Sequence, residues 1–273
     1  PNWIGINVSI NGEALDVFKC KKIEKFRREL NMKEGWLSRS FKATLKNSIE
    51  IEVESKRFLS LDFDEVGAIE YKVKLLNSDA QINFSPYLDN GITNEDSNWD
   101  DKFWDVLSVN HEDNQAFIVS RTMKTHFYVC TSMCSQIAIN GNVLNLEKEI
   151  SERINYIEFQ YKNQVKKGDT ISLTKFGGYT TDRNHDKNDL ISVAKKTLTE
   201  VSKIGFQSLL DLQKAAWSKI WEMADITIDG DVKAQQGIRF NIFQLNQTYL
   251  GKDARLNIGP KGFTGEKYEI GRA

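Results

Sequence analysis

The segment Ile49-Glu50-Ile51-Glu52-Val53-Glu54 places apolar and acidic side chains at alternate positions. Because successive side chains of a β-strand point to opposite faces of the sheet, this pattern predicts an antiparallel strand with one buried and one solvated face. Residues 4–10 alternate in the same way and end at Asn11-Gly12, a dipeptide favoured in tight hairpin turns. The chain is therefore expected to begin with antiparallel hairpins.

Similar alternating segments continue along the chain and are separated by turn-forming residues such as Asn140-Gly141. They are residues 68–76, 81–88, 115–120, 126–133, 154–161 and 170–176. The pair Gly177-Gly178 is expected to close this region. Roughly ten or more strands with short connections predict a mainly β fold, a large antiparallel β-sandwich over residues 1–180.

Helical periodicity replaces the alternation after residue 182. Residues 186–203 carry apolar side chains on one face, and Gly205 stands where a helix often ends. A third helix is expected over residues 232–250, ending at Gly251. Its predicted inward-facing residues are Ile238, Ile242, Leu245 and Tyr249.

Between these two lies a second predicted helix, which begins near Ser208 with Asp211 completing an acidic capping box. Trp217 and Trp221 are four positions apart, so both should lie on one side of the helix and anchor it on the sandwich. The predicted apolar stripe consists of Leu209, Leu212, Ala216, Ile220 and Met223.

The overall charge excludes some classes of protein. The 273 residues contain 37 Lys and Arg against 38 Asp and Glu, a net charge of -1. Because phosphate-backbone binding needs a basic surplus or stripe, a nucleic-acid partner is not expected. The sequence has neither a long apolar run nor a secretion signal, so we expect no membrane partner and a cytoplasmic location.

Cysteine and histidine give no pattern for metal or nucleophile chemistry. Cys20, Cys130 and Cys134 are expected to be free thiols, since the spacing of the last two fits neither a zinc knuckle nor a redox pair. The three histidines have no second ligand at metal-binding spacing, and no nucleophile elbow is visible. No metal site and no hydrolytic triad are predicted.

Two segments are candidates for ligand binding. Residues 94–105 combine acids with Trp99 and Trp104, the residue types that sugar sites use as aromatic platforms and hydroxyl ligands. An exposed loop between strands is the other interpretation. Residues 257–268 repeat glycine at every third position, which allows the backbone to approach a ligand or another segment closely. They lack the end of a P-loop, so a plain loop remains open here too.

Several motifs together resemble one enzyme family. The C-terminal ones are ADITIDGD at 224–231, IRFNIFQL at 238–245 and NIGPKGFTGEKY at 257–268. Weaker ones follow in the right order, namely PNW at 1–3, FRR at 26–28, LSRSF at 37–41 and EVESKRF at 52–58. This set resembles the inverting disaccharide phosphorylases of glycoside hydrolase family 65.

The resemblance implies a super-β-sandwich over residues 1–180, a two-helix linker over 181–224, and the first helix of a truncated (α/α)6 catalytic barrel over 225–273. It implies glucosyl transfer from a maltose-type disaccharide to inorganic phosphate, a co-substrate, with no cofactor. The family's general acid and phosphate ligands lie beyond the matched part. We therefore expect no catalytic residue here and an inactive fragment of a longer protein, since the match stops after Tyr268 and the chain starts at Pro1 without Met.

The resemblance also implies binding residues and an assembly. Lys261, Gly262, Thr264 and Gly265 match the loop that leads into the family's sugar site, and a homodimer is expected. The alternative function is a non-enzymatic carbohydrate-binding module in which Trp99 and Trp104 are the platforms. A sugar mutarotase on a similar β-architecture is disfavoured, because it needs paired histidines.

Overall fold

A computed structural model describes residues 1–93 and 102–255. This part of the chain forms two antiparallel sheets and three helices, and none of these helices is long and apolar enough to cross a membrane. The strands are β1 (Ile6–Ile10), β2 (Glu13–Ala14), β3 (Lys22–Asn31), β4 (Trp36–Thr44), β5 (Glu50–Leu59), β6 (Val66–Leu75), β7 (Ala80–Asp89), β8 (Trp104–Glu112), β9 (Gln115–Thr122), β10 (Tyr128–Ile139), β11 (Asn142–Leu144), β12 (Glu149–Arg153), β13 (Tyr156–Val165) and β14 (Thr170–Thr181). The helices are α1 (Leu190–Ile204), α2 (Phe206–Ala224) and α3 (Val232–Thr248).

The strands divide into a smaller and a larger sheet. The smaller sheet has the order β12-β13-β7-β1-β2. The larger sheet has the order β3-β4-β5-β6-β14-β10-β9-β8, with β11 paired to β10. Neighbouring strands are antiparallel in both sheets. The predicted mainly β antiparallel sandwich is confirmed.

The main hydrophobic core lies between the two sheets. On β5, Ile51 and Val53 are fully buried, whereas Glu50 and Glu54 are exposed on the other face. Phe84 enters the same core from β7 of the smaller sheet. The alternation at residues 49–54 therefore corresponds to the inner and outer faces of one strand, as predicted.

Helices α1 and α2 cover the outer face of the larger sheet. On β10, Met133 faces the core between the sheets, while Cys134 faces α1 and lies 3.9 Å from the carbonyl oxygen of Leu198. Leu198 and Val201 of α1 are buried in this second apolar cluster. The fold is thus a stack of three layers, two of sheet and one of helices.

The cysteines are free, as predicted. Burial raises the pKa of the Cys130 and Cys134 thiols to about 12. Because the thiolate is the reactive form, both thiols are inert at neutral pH and contribute only to packing.

The prediction that Gly177-Gly178 closes the β region is wrong, since both glycines lie inside β14. A Cβ on Gly177 would lie 2.8 Å from Cε3 of the buried Trp3. A Cβ on Gly178 would lie 1.9 Å from the carbonyl oxygen of Glu65. These residues are therefore glycine because two neighbours approach the strand too closely for a side chain.

The start and the buried face of α2 also differ from the prediction. Gly205, at a φ of 81°, ends α1 and immediately precedes α2, so the helix begins at Phe206 and the expected capping box at Ser208 does not form. Leu212 and Met223 are 40% and 83% exposed, because the face turned toward the sheet lies on other positions. The buried residues of α2 are Phe206, Leu209, Leu210, Gln213 and Trp217.

Helix α3 is attached to α2 by an aromatic stack and by an ion pair between Arg239 and Asp225, the residue that ends α2. Its N-terminus is capped by the Asp231 carboxylate, which accepts hydrogen bonds from the backbone N–H groups of Lys233 and Ala234. Ile242 and Phe243 are buried. Leu245 is 59% exposed, so its predicted inward position is wrong, because only the face that carries Phe243 meets another helix.

Candidate functional site

Of the two predicted aromatic platforms, the structure describes one. Trp104 is the first residue of β8, at the edge of the larger sheet, and it is half-buried opposite Thr122. Next to it, Asp105 accepts a hydrogen bond from Arg121 at 3.1 Å. Trp99 lies outside the described residues. The role of Trp104 in sugar binding stays a prediction.

The predicted sugar-site loop, with Lys261, Gly262, Thr264 and Gly265, also lies outside the described residues. The described chain ends just before it, at Arg255, and this end is held by polar contacts. The Arg255 guanidinium donates to the carbonyl oxygen of Arg183, and it donates to Oδ1 of Asn184 at 2.7 Å. Residue 255 is therefore fixed against the loop that follows β14.

A polar cluster surrounds the end of the described chain. Lys252 donates to the carbonyl oxygen of Leu61 at 2.9 Å and lies 3.4 Å from the Asp64 carboxylate. Nearby, Nε2 of His185 lies 2.8 Å from Oε1 of Glu65. No group of three or more candidate metal ligands occurs in residues 1–93 and 102–255. These contacts hold residues 252–255 against neighbouring loops of the sandwich.

An aromatic cavity of 340 Å³ lies where the β3–β4 hairpin, β5, α2 and α3 meet. Its walls include the aromatic side chains Trp3, Trp36, Trp217 and Phe243. These residues are far apart in sequence and carry no shared local pattern, so sequence reasoning did not find the cavity.

The α2 side of the aromatic cavity is fixed by the buried amide of Gln213. Its Oε1 accepts from the backbone N–H of Leu61 at 2.9 Å, and its Nε2 donates to the carbonyl oxygen of Gly35 at 3.3 Å. Nε1 of Trp217 is buried and has no hydrogen-bond partner among the described residues. Trp221, one turn later, donates to the carbonyl oxygen of Met32 at 3.0 Å. The predicted anchoring of both tryptophans on the sandwich is thus confirmed.

The lining of the aromatic cavity limits its chemistry. Among the described residues that form it, Arg57 is the only ionisable one. General acid–base catalysis requires titratable groups in reach of the reacting bond. The cavity is therefore suited to packing or binding and not to proton transfer.

Comparison with known proteins places the fold in a family. The sequence profile of glycosyl hydrolase family 65, N-terminal domain, matches residues 1–220, which is most of the chain. The chain belongs to glycosyl hydrolase family 65. The profile of the central catalytic domain of family 65 matches residues 239–272. The second match includes all but the first residue of the IRFNIFQL motif, and the whole of the glycine-rich motif.

Several curated relatives of this chain are phosphorylases. The maltose phosphorylase of Bacillus subtilis (strain 168) is 39% identical over 98% of this chain and 34% of its own length. The alpha,alpha-trehalose phosphorylase of Thermoanaerobacter brockii is 29% identical over 97% of this chain and 34% of its own length. A solved structure described as "Putative kojibiose phosphorylase from human microbiome" superposes with a TM-score of 0.87 and 25% identity, covering 98% of this chain and 34% of the other. The chain thus spans about a third of the length of these relatives.

Proposed function

We propose that this chain is the N-terminal, non-catalytic part of an inverting disaccharide phosphorylase whose preferred disaccharide is maltose. The supporting observation is the 39% identity to a maltose phosphorylase along 98% of this chain. The lower identity of 29% to the trehalose relative favours maltose over trehalose as the substrate.

The proposed reaction is phosphorolysis with inversion. In the complete enzyme, a general acid protonates the glycosidic oxygen while an oxygen of inorganic phosphate attacks the anomeric carbon from the opposite face. The bond to the glycosidic oxygen breaks, glucose leaves, and β-glucose 1-phosphate forms. Phosphate thus takes the place of the activated water of an inverting hydrolase. We assign neither the acid nor the phosphate ligands to this chain, and we propose no cofactor.

We propose that the contribution of this chain is to position the catalytic part of the enzyme. The proposed domains are residues 1–180 for the sandwich, 181–224 for the linker and 225–273 for the start of the barrel. The contacts of Trp217 and Trp221 with the sandwich and with α3 support this role, because they hold the first proposed barrel helix against the scaffold.

The remaining proposals concern the sugar-binding loop, the location of the protein, its assembly and its partners. We place Lys261, Gly262, Thr264 and Gly265 in the loop that approaches the sugar, because they fall in the segment matched by the catalytic-domain profile. We further propose a cytoplasmic homodimer without a nucleic-acid or membrane partner, in keeping with the near-zero net charge.

The choice of disaccharide is tested with the complete protein that contains this chain. Maltose, trehalose and kojibiose are each supplied with inorganic phosphate, and the sugar phosphate is identified by proton NMR. We expect release from maltose to be the fastest and the product to be the β-anomer. Faster release from trehalose or kojibiose would refute the substrate assignment, and an α-anomer would refute inversion.

A further inference from the structure

Three arginines face the same groove on the inner side of the larger sheet. Arg28 of β3 lies directly opposite Arg39 of β4 in the strand register, and Arg57 of β5 pairs with Leu37, two residues along from Arg39. Arg39 shares its face with the buried Phe41, which identifies this face as the inner one. The groove has a volume of 290 Å³ and is called the arginine groove below. Its lining residues are Ile4, Ile6, Phe26, Arg28, Leu37, Ser38, Arg39, Ser55, Arg57, Ile69 and Tyr71.

The described lining of the arginine groove contains no carboxylate. The glutamates of these strands occupy alternate positions and therefore face outward. On that outer face Glu29 pairs with Arg27, and Glu70 pairs with Lys72 at 2.8 Å. In the described part of the chain, none of the three groove arginines forms an ion pair.

Part of the bonding capacity of these arginines is unmet. Arg28 and Arg57 are exposed, whereas Arg39 is half-buried and lies over the ring of Phe41 and beside Tyr71. Nε of Arg39 is buried and has no hydrogen-bond partner among the described residues. Partial desolvation, followed by the charges of Arg28 and Arg39, lowers the pKa of Arg57. A buried donor without an acceptor costs free energy, and so does the repulsion that Arg57 experiences, so an anion in the groove would relieve both.

The chemistry of the groove selects the kind of anion. Guanidinium groups bind phosphoryl oxygens with paired N–H donors, and three of them match a doubly charged group better than a single carboxylate. Ser55 and Tyr71 add hydroxyl groups to the wall. Arg57, Ile4 and Leu37 also line the aromatic cavity, so apolar space adjoins the cationic site. That space can accept an organic group attached to the phosphate.

We propose that the arginine groove binds a phosphate monoester, with its phosphoryl group held by Arg28, Arg39 and Arg57 and its organic group directed toward the aromatic cavity. All three of these arginines belong to the described part of this chain. Binding to the arginine groove is tested without enzymatic turnover, so this proposal stands or fails independently of the proposed function.

Isothermal titration of the 273-residue chain in a phosphate-free buffer of low ionic strength tests the proposal. The ligands are glucose 1-phosphate, inorganic phosphate, glucose and succinate. We expect glucose 1-phosphate to bind more tightly than inorganic phosphate, and glucose and succinate to bind weakly or not at all. No binding of either phosphate would overturn the proposal. Succinate binding as tightly as glucose 1-phosphate would instead identify a surface for carboxylates of another protein segment.

Matched variants locate the site. Arg39→Gln and Arg57→Gln should each weaken binding of glucose 1-phosphate by at least about tenfold, because each removes charge-assisted hydrogen bonds. Arg27→Gln, one residue from Arg28 but on the outer face, should change the affinity less than about twofold. Equal losses in all three variants would overturn the proposal. Because Arg57→Gln removes a repelled charge, the melting temperature of this variant without ligand should not fall. A loss of binding in this variant can then be distinguished from a loss of folding.

Discussion

The indole of Trp217 on α2 stacks on the ring of Phe243 on α3, with 4.6 Å between the ring centroids and 27° between the planes. Trp217 is 1% exposed and Phe243 is 2% exposed, so this pair excludes water. The same tryptophan stacks on Trp221 at 6.0 Å. One buried aromatic stack therefore links the sandwich, through α2, to α3.

Replacing Phe243 by alanine should detach α3. Loss of a buried phenyl ring costs about 3–5 kcal/mol in well-packed sites. The loss should fall mainly on α3, because its other link to α2 is the exposed ion pair between Arg239 and Asp225, and exposed ion pairs contribute little to stability. Hydrogen exchange should show faster exchange across residues 232–248 with unchanged protection of β10. Leu245→Ala is the control, since Leu245 is 59% exposed, and it should leave exchange nearly unchanged. Equal effects of the two variants would contradict the stacking contact.

Two glycine substitutions should have opposite effects on stability. In Gly178→Ala the new methyl group would overlap the Glu65 carbonyl oxygen, 1.9 Å away, so the melting temperature should fall sharply. In Gly237→Ala, within α3, the methyl group meets nothing within 4 Å. Alanine there should raise helix stability by about 0.5–1 kcal/mol. Calorimetry of both variants checks the pair, and tolerance of Gly178→Ala would contradict the close approach.

The buried Lys175 should make stability depend on pH. Its Nζ donates to the carbonyl oxygens of Gly5 and Tyr87, each at 2.8 Å, and burial lowers its pKa well below 10.5. At pH values between the pKa of Lys175 in the folded chain and its pKa in the unfolded chain, the unfolded chain therefore binds more protons than the folded chain. Stability must then rise with pH, by up to about 1.4 kcal/mol per unit, until the pH reaches the unfolded value.

Urea unfolding at several pH values measures this effect. The difference in unfolding free energy between the wild type and Lys175→Met should grow in favour of the wild type as the pH rises from 7 to about 10. Other titrating groups are common to both proteins and cancel in the difference. A constant difference would show that Lys175 keeps its ordinary pKa, and a difference that shrinks with rising pH would show that folding raises its pKa; either result would contradict the effect of burial.

The carbohydrate-binding alternative has its own test. If the chain alone does not bind sugar, maltose should leave its tryptophan fluorescence unchanged. A saturable change that disappears in Trp104→Ala would favour a carbohydrate-binding module instead. Phe103→Ala, next to Trp104 but 44% exposed, is a suitable control for nonspecific disturbance of β8.

The sequence predicted the strands well because their pattern is local. At residues 49–54 the alternation alone identifies which side chains enter the core. The functions of Gly177 and Gly178 could not be predicted in this way. They depend on Trp3 and Glu65, which approach from distant parts of the chain. A glycine pair looks the same in sequence whether it forms a turn or makes room for a neighbour.

The buried faces of the helices and the arginine groove were harder to predict, because they too depend on contacts between distant parts of the chain. Helical spacing groups Ile242 with Leu245, but the docking of Phe243 on Trp217 decides which of them is buried. The arginine groove had a usable signal, since Arg39 occupies the same face of its strand as the buried Phe41. An arginine on the same face of a strand as core residues indicates a charge that faces inward. Its neighbours Arg28 and Arg57 can be identified only once the pairing of the strands is known.

The most direct test of the central claim is an assay of β-glucose 1-phosphate formation from maltose and inorganic phosphate. The 273-residue chain and the complete protein that contains it are assayed side by side. The proposed function predicts β-glucose 1-phosphate from the complete protein and none from the chain alone. Formation of β-glucose 1-phosphate by the chain alone would contradict a non-catalytic role, and its absence with the complete protein would contradict maltose phosphorolysis.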